Sequence, residues 1–307
     1  MNITAIHDRR RRLLCILGLA LLVAAPVAAR QRTFATPQEA AAALAAALKA
    51  NDEPALLEIF GEQHKNAVSS GEPARDKEAR AKVGAAMDTF LAIDTSTDTR
   101  RILLIGANAW PFPVPLVRDG GGWRFATELG TDELLNRRIG ENEREALRVM
   151  YGYLDAQRRY ASNDRFGDGV LRYARRINSS AGKRDGLYWP ADEAKGEEVS
   201  PFGPLVAEAG PARQQGDPYY GYQFRILTAQ GPHAAGGAYN YVIKGRLVAG
   251  FGLVGYPRRY GSSGVMTFVV GPQGIVYQKD LGDKTTDVAK AMTAYDPDAT
   301  WMPTRSD

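Results

Sequence analysis

The spacing of apolar side chains changes period along this chain of 307 residues. After Phe34, the stretch Thr36-Pro37-Gln38-Glu39 places a capping hydroxyl, a proline at the first helical position and a Glu three residues after the cap. The Ala- and Leu-rich run from Ala40 to Ala50 then predicts a helix. Asn51-Asp52 ends it and can cap a second helix that runs to Phe60 and stops at Gly61. A third helix is expected over Arg75–Ile93, with Val83, Met87, Phe90 and Leu91 on one side.

From residue 100 the pattern turns to strands. "RRILLIGANAW" is one, and "PFPVPLVRDGGGWRFAT" reads as a hairpin turning at Gly120, Gly121 and Gly122. Pro111, Pro113 and Pro115 alternate, so their missing N–H groups lie on one side and mark a sheet edge. A further helical stretch covers Thr131–Ser162, interrupted at Gly140, with Asn142 capping its second piece and Glu145 three residues on. There Ala146, Val149, Met150, Tyr153, Leu154 and Tyr160 recur at helical spacing and read as a core face. Residues 179–221 are irregular. Strands follow over Tyr222–Thr228, Ala238–Ile243, Leu247–Tyr256, Val265–Val270 and Ile275–Lys279. Turns fall at Lys244-Gly245 and 271–274, and a short helix over Asp287–Tyr295 closes the chain.

The fold class is therefore α+β: N-terminal helices with a bent antiparallel sheet over residues 30–130, then a long helix with an antiparallel β-meander over 131–307. Residues 1–29 stand apart. Arg9 to Arg12 precede an apolar run from Leu13 to Val27-Ala28-Ala29, the make-up of a secretory signal peptide cleaved after Ala29. The run is short for a membrane span and carries Pro26 near its end. Cys15, the only cysteine, lies inside it, so the mature chain has no disulfide, thiolate metal site or cysteine nucleophile. The full chain has 39 Lys+Arg against 35 Asp+Glu, and removing 1–29 with its four arginines and Asp8 leaves 35 against 34. The basic character belongs mostly to the leader, which removes the main support for nucleic-acid binding.

Candidate chemistry is sparse. His64 and His233, the two histidines after the leader, lie in different predicted halves, and no His-rich or thiolate spacing suits zinc. No G-x-S-x-G elbow, P-loop or dinucleotide fingerprint is present, although a Ser-His-Asp triad needs no sequence proximity and stays open. "GKRDGLYWP" is the most distinctive polar–aromatic cluster. Its Lys183, Arg184, Asp185, Tyr188 and Trp189 could hold an anion or a sugar, against the plainer reading of a loop pinned to the core by its aromatics. "SNDRFGDGVLRYARR" places Asp164, Asp168 and Gly169 where a calcium loop has its first ligand, third ligand and turn glycine. The second ligand position is Phe166, however, and the closing acid is Arg175, so a helix-ending turn is the preferred reading.

"FATPQEAAAALAAALKANDEPALLEIFG" with the later "DGGGWRF" resembles NTF2-like cone folds over residues 34–128. Helix, irregular loop and meander, with "YGSSGVMTFVVGPQGIVYQKDLG", resemble the soluble part of type IV pilin-like and pseudopilin proteins, without their N-terminal assembly segment. Over nearly the whole mature chain, "WPFPVPLV", "LNRRIGENE", "GKRDGLYWP", "FRILTAQGP", "YPRRYGSSGVMTFVV" and "YDPDATWMP" together resemble DUF2950, a family of exported bacterial proteins of unknown function. That resemblance implies secretion and one shared architecture, and it carries no activity.

The expectation is a periplasmic or secreted, non-enzymatic interaction or accessory module whose partner is another envelope protein. It has no cofactor, no nucleic-acid partner and no membrane span once the leader is removed. The alternative is a periplasmic hydrolase or small-ligand-binding protein with its site in the N-terminal cone or near residues 182–190. Export is checked directly: N-terminal sequencing of protein recovered from the periplasm should begin at Arg30. A mature chain still starting at Met1 would contradict the cleavage.

Overall fold

The computed structural model describes residues 31–95, 97–208 and 218–304; the expected leader, with Cys15, lies outside the described residues. Thr36 caps helix α1 (Pro37–Ala50) by accepting from the Glu39 N–H at 3.1 Å. The Glu39 carboxylate in turn accepts from the Ala35 N–H at 3.2 Å. Asn51 ends α1 in the left-handed region, and Asp52 caps α2 (Glu53–Phe60) through the Ala55 N–H at 3.0 Å. A short α3 (Lys65–Val68) leads to α4 (Pro73–Thr89).

The expected third helix stops early, at Thr89. Phe90 is extended, and Leu91–Asp94 form strand β1, paired antiparallel with β2 (Arg100–Ile105). The Gly106 N–H donates to both Ala86 O and Phe90 O, tying the helix end to the sheet. Tertiary pairing overrides the helical stripe here: Met87 is buried, whereas Phe90 and Leu91 are exposed. Beyond β2, the chain pairs with that strand twice, as β3 (Trp110–Pro111) and as β4 (Leu116–Asp119). Leu104 faces Pro111 and Arg101 faces Leu116, so three steps along β2 match five along the partner, and the proline-rich stretch bulges between. Gly120 and Gly121, both at positive φ, turn β4 into β5 (Gly122–Phe125). Leu44, Leu56, Ile59, Leu103, Leu116 and Phe125 are the centre of this first core.

Helix α5 (Thr131–Ala161) is continuous for 31 residues. At about 1.5 Å per residue it spans about 46 Å. The expected break at Gly140 is absent, and Asn142 caps nothing. Instead, buried Asn142 accepts from Arg75 Nη1 on α4 at 2.5 Å and donates to Ser263 O at 2.9 Å. Tertiary partners satisfy a residue that reads locally as a cap. Leu134 packs on the first core, and the stripe Ala146, Val149, Met150, Tyr153, Leu154, Tyr160 is buried in a second.

After an irregular segment and α6 (Gly203–Glu208), the chain enters β6 (Tyr222–Leu227), β7 (Ala229–Gln230), β8 (Tyr239–Asn240), β9 (Val242–Ile243), β10 (Arg246–Leu247), β11 (Gly252–Pro257), β12 (Met266–Val270) and β13 (Val276–Asp280). Then come α7 (Thr285–Ala291), β14 (Ala294–Tyr295) and β15 (Met302–Pro303). Strands β15-β13-β12-β11-β6 make one antiparallel sheet. Period-two alternation sends Leu253, Phe268 and Val270 into the core with α5, and Val254, Tyr256 and Val269 into a third core with Ala289 of α7 and Tyr295.

The longer strands expected at 238–243 and 247–256 are broken: Tyr241 stands between β8 and β9, its N–H donating to Thr228 O at 2.8 Å and its carbonyl accepting from the Val248 and Ala249 N–H groups at 3.1 Å, so residues 248–251 curl onto Tyr241 before β11 begins. The last helix is shorter than expected, since Ala294–Tyr295 pair parallel with β7. No helix among the described residues is long and apolar enough to cross a membrane.

Asn142 and Gly140 make opposite predictions in urea denaturation. Asn142→Ala strands the Arg75 guanidinium and should destabilise by about 1–3 kcal/mol. A Cβ on exposed Gly140 meets nothing within 4 Å. Gly140→Ala should therefore stabilise by about 0.5–1 kcal/mol.

Candidate functional site

Helix α4 carries Asp76, Arg80, Val83 and Met87 at intervals of four, three and four, on one face. Two of these four are charged and buried, which is costly unless each finds partners. Asp76 accepts from the Ser69 hydroxyl and the Ser70 N–H, both at 3.0 Å. Arg80 donates to Asn51 Oδ1 at 2.9 Å, Glu53 Oε2 at 3.0 Å and Val68 O at 3.4 Å, while its buried Nε has no partner among the described residues.

Beside these charges lies a cavity of about 350 Å³, within the range of small-molecule sites. Its apolar wall is Leu44, Leu48, Leu56, Phe60, Val83, Phe112 and Leu134; its charged wall is Arg75, Asp76 and Arg80 of α4 with Arg137, Arg138 and Glu141 of α5. Arg137 lies 4.4 Å over the Trp110 ring and pairs with Glu133, and Arg75 lies 4.7 Å over Tyr220. Arg138 donates to Asn66 O at 2.7 Å and Ala67 O at 2.8 Å. Burial holds the Arg138 guanidinium below its usual range, with Arg259 and Arg75 pushing the same way and Asp76 opposing. It stays charged at neutral pH. Glu53 and Glu133, outside the lining, pair with Arg80 and Arg137, whereas Arg75 and Arg138 direct their hydrogen bonds to neutral partners. These two cations beside an apolar chamber suit a molecule with an apolar body and an acidic end.

None of these charged residues stands out in the sequence, although the N-terminal cone is one of the two expected locations for a site. The available signal was a pair of charges, Asp76 and Arg80, in phase with Val83 and Met87.

The cluster at residues 182–190 lies against the second core. Trp189 is buried and donates its indole N–H to Glu198 O at 2.9 Å. Arg184 and Arg165 lie 5.6 and 5.0 Å from the Trp189 ring and both bond the Glu198 carboxylate at 3.0 Å. The Arg165 hydrogen bond, with Arg184 adding to it, holds the Glu198 pKa below the ordinary range. Asp185 accepts from Ser180 N–H at 2.7 Å and Ser180 Oγ at 2.9 Å. Half-buried Tyr188 continues a backbone ladder with Ile177 and Asn178, and Lys183 is exposed. The structure thus brings Arg184 and Trp189 together around Glu198, a residue the sequence did not mark, and sets Lys183 apart.

In the loop after α5, Asp164 Oδ1 accepts from the N–H groups of Phe166 at 3.2 Å and Gly167 at 3.0 Å, and Oδ2 from that of Gly169 at 2.8 Å. Gly167 and Gly169 both take positive φ. Asp168 bonds Arg172 through Oδ1 and Arg246 through Oδ2, the latter at 2.8 Å. Backbone N–H groups lower the Asp164 pKa, and the Arg172 hydrogen bond lowers that of Asp168. Both carboxylates are thereby occupied by N–H donors, and no group of three or more His, Cys, Asp or Glu gathers as a metal set among the described residues.

His64 Nδ1 lies 3.4 Å from Thr131 Oγ1. That hydroxyl donates to Thr127 O at 2.7 Å, so it is not poised as a nucleophile. Exposed His233 Nδ1 bonds Asp296 Oδ2 at 2.9 Å, which raises the imidazole pKa. No serine or threonine hydroxyl bonds that ring among the described residues.

The Asp168 bridge predicts a pH dependence. A carboxylate whose pKa the fold depresses contributes stability above the unfolded value, about 4, and loses it as pH falls through the folded value. Asp168→Ala should therefore melt lower than the wild type at pH 7, the gap closing towards pH 3, with calcium leaving both melts unchanged.

A family model described as "Protein of unknown function (DUF2950)" matches residues 31–304. No curated protein matches the chain, and no solved structure does. The match spans the helices, both five-stranded sheets, the chamber and the loops just described, so the chain belongs to the DUF2950 family.

Proposed function

We propose that this protein is an exported, non-enzymatic binding module of the bacterial envelope that holds a small amphipathic acid in the chamber of its N-terminal half. The observation that carries the reading is the cationic wall of an otherwise largely apolar cavity of about 350 Å³. Of its guanidinium groups, Arg75 and Arg138 direct their hydrogen bonds to neutral partners, Asn142 Oδ1 and the carbonyls of Asn66 and Ala67. A carboxylate or similar acid would supply a counter-charge through charge-assisted bonds. The apolar body would lie against Leu44, Leu56 and Phe112.

Helices α1, α2 and α4 over a bent sheet, with the chamber between them, support a cone of the NTF2-like kind, and α5 across an antiparallel meander supports the pilin-like reading of the second half. Arg9–Arg12 followed by the apolar run to Ala29 supports export. A binding role fits the commitments of the two acids near the chamber's charged wall: Asp76 is hydrogen-bonded to Ser69 and Ser70, and Glu141 is exposed rather than enclosed.

Thermal melts with decanoate, decanol and decylamine separate the contributions. Decanoate at a hundred times its Kd should stabilise by about 2.7 kcal/mol. Decanol should do much less and decylamine nothing, because neither brings a counter-charge to Arg75 and Arg138. Val68→Phe, which fills the chamber from α3, should abolish the decanoate response while retaining a cooperative melt. Equal responses to the acid and the amine, or a response surviving Val68→Phe, would remove this reading.

A further inference from the structure

Where the loop before α4 meets the turn between β11 and β12, the two halves enclose a second, smaller pocket. Its volume is about 120 Å³, and it is lined by Ser70, Gly71, Glu72, Arg258, Arg259 and Ser263. Liquid water takes about 30 Å³ per molecule, so this space matches about four waters, or one tetrahedral ion with its close contacts. Among the described residues no large apolar side chain lines it, in contrast to the chamber next door.

The walls are held by backbone. The Ser70 N–H donates to Asp76 and the Glu72 N–H to Ser70 Oγ at 3.2 Å, leaving the Ser70 hydroxyl proton available. Opposite, the Arg259 N–H donates to Ser263 Oγ at 2.9 Å and the Ser263 hydroxyl returns a bond to Arg259 O at 3.1 Å. The Arg258 N–H donates to Gly221 O at 2.9 Å, and Asn142 fixes Ser263 O. The Arg259 guanidinium lies so close to Gly71 that a Cβ there would sit 2.9 Å from Nη2 and 3.2 Å from Cζ.

The fixed walls therefore present two guanidinium groups, and neither is ion-paired or hydrogen-bonded by the described residues. Among the described residues Glu72 is the single acid of the lining, and it has an interaction of its own. Arg75 and Arg138 add further positive charge next to it, and Arg138 feels both Arg75 and Arg259. Folding brings these like charges together at an unfavourable electrostatic cost, which a bound anion would offset. Guanidinium forks match the oxygens of phosphate and sulfate.

We propose that this pocket is a binding site for a tetrahedral oxyanion of the phosphate class, held by Arg258 and Arg259 with a hydrogen bond from the Ser70 hydroxyl. Because its walls come from both halves of the chain, the bound ion would also tie the 69–72 loop to the second sheet. The site is independent of what fills the larger chamber.

The test titrates the full mature chain with inorganic phosphate, sulfate and glycerol phosphate, replacing sodium chloride at constant ionic strength and following the melt and the heat of binding. Phosphate and sulfate should raise Tm saturably, and acetate should not. Arg258→Gln/Arg259→Gln should weaken phosphate binding at least tenfold, and Ser70→Ala severalfold. The double variant, with both changes at exposed positions, should melt without anion at or above the wild-type temperature, since like-charge repulsion has been removed. Its response to decanoate should persist, because neither arginine lines the chamber. Tighter binding of glycerol phosphate than of phosphate assigns the site to a small phosphorylated molecule, and the reverse to the free ion. A phosphate response unchanged in the double variant, or no saturable response in the wild type, overturns the proposal.

Discussion

Asn142 joins the two halves of the chain through one side chain. On one side it takes a hydrogen bond from Arg75 of α4, and on the other it donates to the backbone of Ser263 in the turn between β11 and β12. It belongs to a helix whose early part packs on one core and whose later part builds another. The placement of the charged groups at the seam follows from that arrangement. Arg75 is aimed by Asn142, Arg138 reaches the carbonyls of α3 from the same helix, and the Ser263 turn carries Arg259 up to Gly71.

The chamber and the smaller pocket are chemical opposites that share Ser70 as a wall. One is apolar with arginines along a side, and the other is polar throughout. Asp76 makes this division possible. Its carboxylate fixes Ser69 and Ser70 by three hydrogen bonds, so the loop stands as a rigid partition. A buried carboxylate surrounded by arginines would ordinarily be read as their counter-ion. Here its direct hydrogen bonds go to a hydroxyl and a backbone N–H, and it reaches Arg138 only through its charge.

Much of the architecture was legible because it rests on local signals. The Thr36 and Asp52 caps, the glycine turn at 120–121, the α5 core stripe and the strands at 222–227, 266–270 and 276–280 are all specified within a few residues. The misreadings share one cause. Leu91–Asp94, Asn142 and Ala294–Tyr295 each carry a local preference that a distant partner overrules: β2, Arg75 with Ser263, and β7. The chamber was illegible for the same reason. Its residues are spread from Leu44 to Asn142, and only the in-phase charges of α4 hinted at a polar wall. The distinctive "GKRDGLYWP" stretch drew notice by composition, but its Arg184 is matched to Glu198, well beyond the stretch, and no spacing rule connects the two.

The second sheet ends on β15, two residues long and closing in Pro303, opposite Tyr277. In the first sheet, Pro111 lies in β3, another two-residue strand, which pairs with β2 alone. A short strand with a proline in it gives an incoming strand almost nothing to pair with. After residue 29 the chain has no thiol, so no covalent lock could guard these places against misassociation. Its prolines provide a steric one, built into the backbone and independent of redox conditions. Replacing them would expose ladder positions that invite other strands, and the damage would appear as loss of solubility rather than loss of binding.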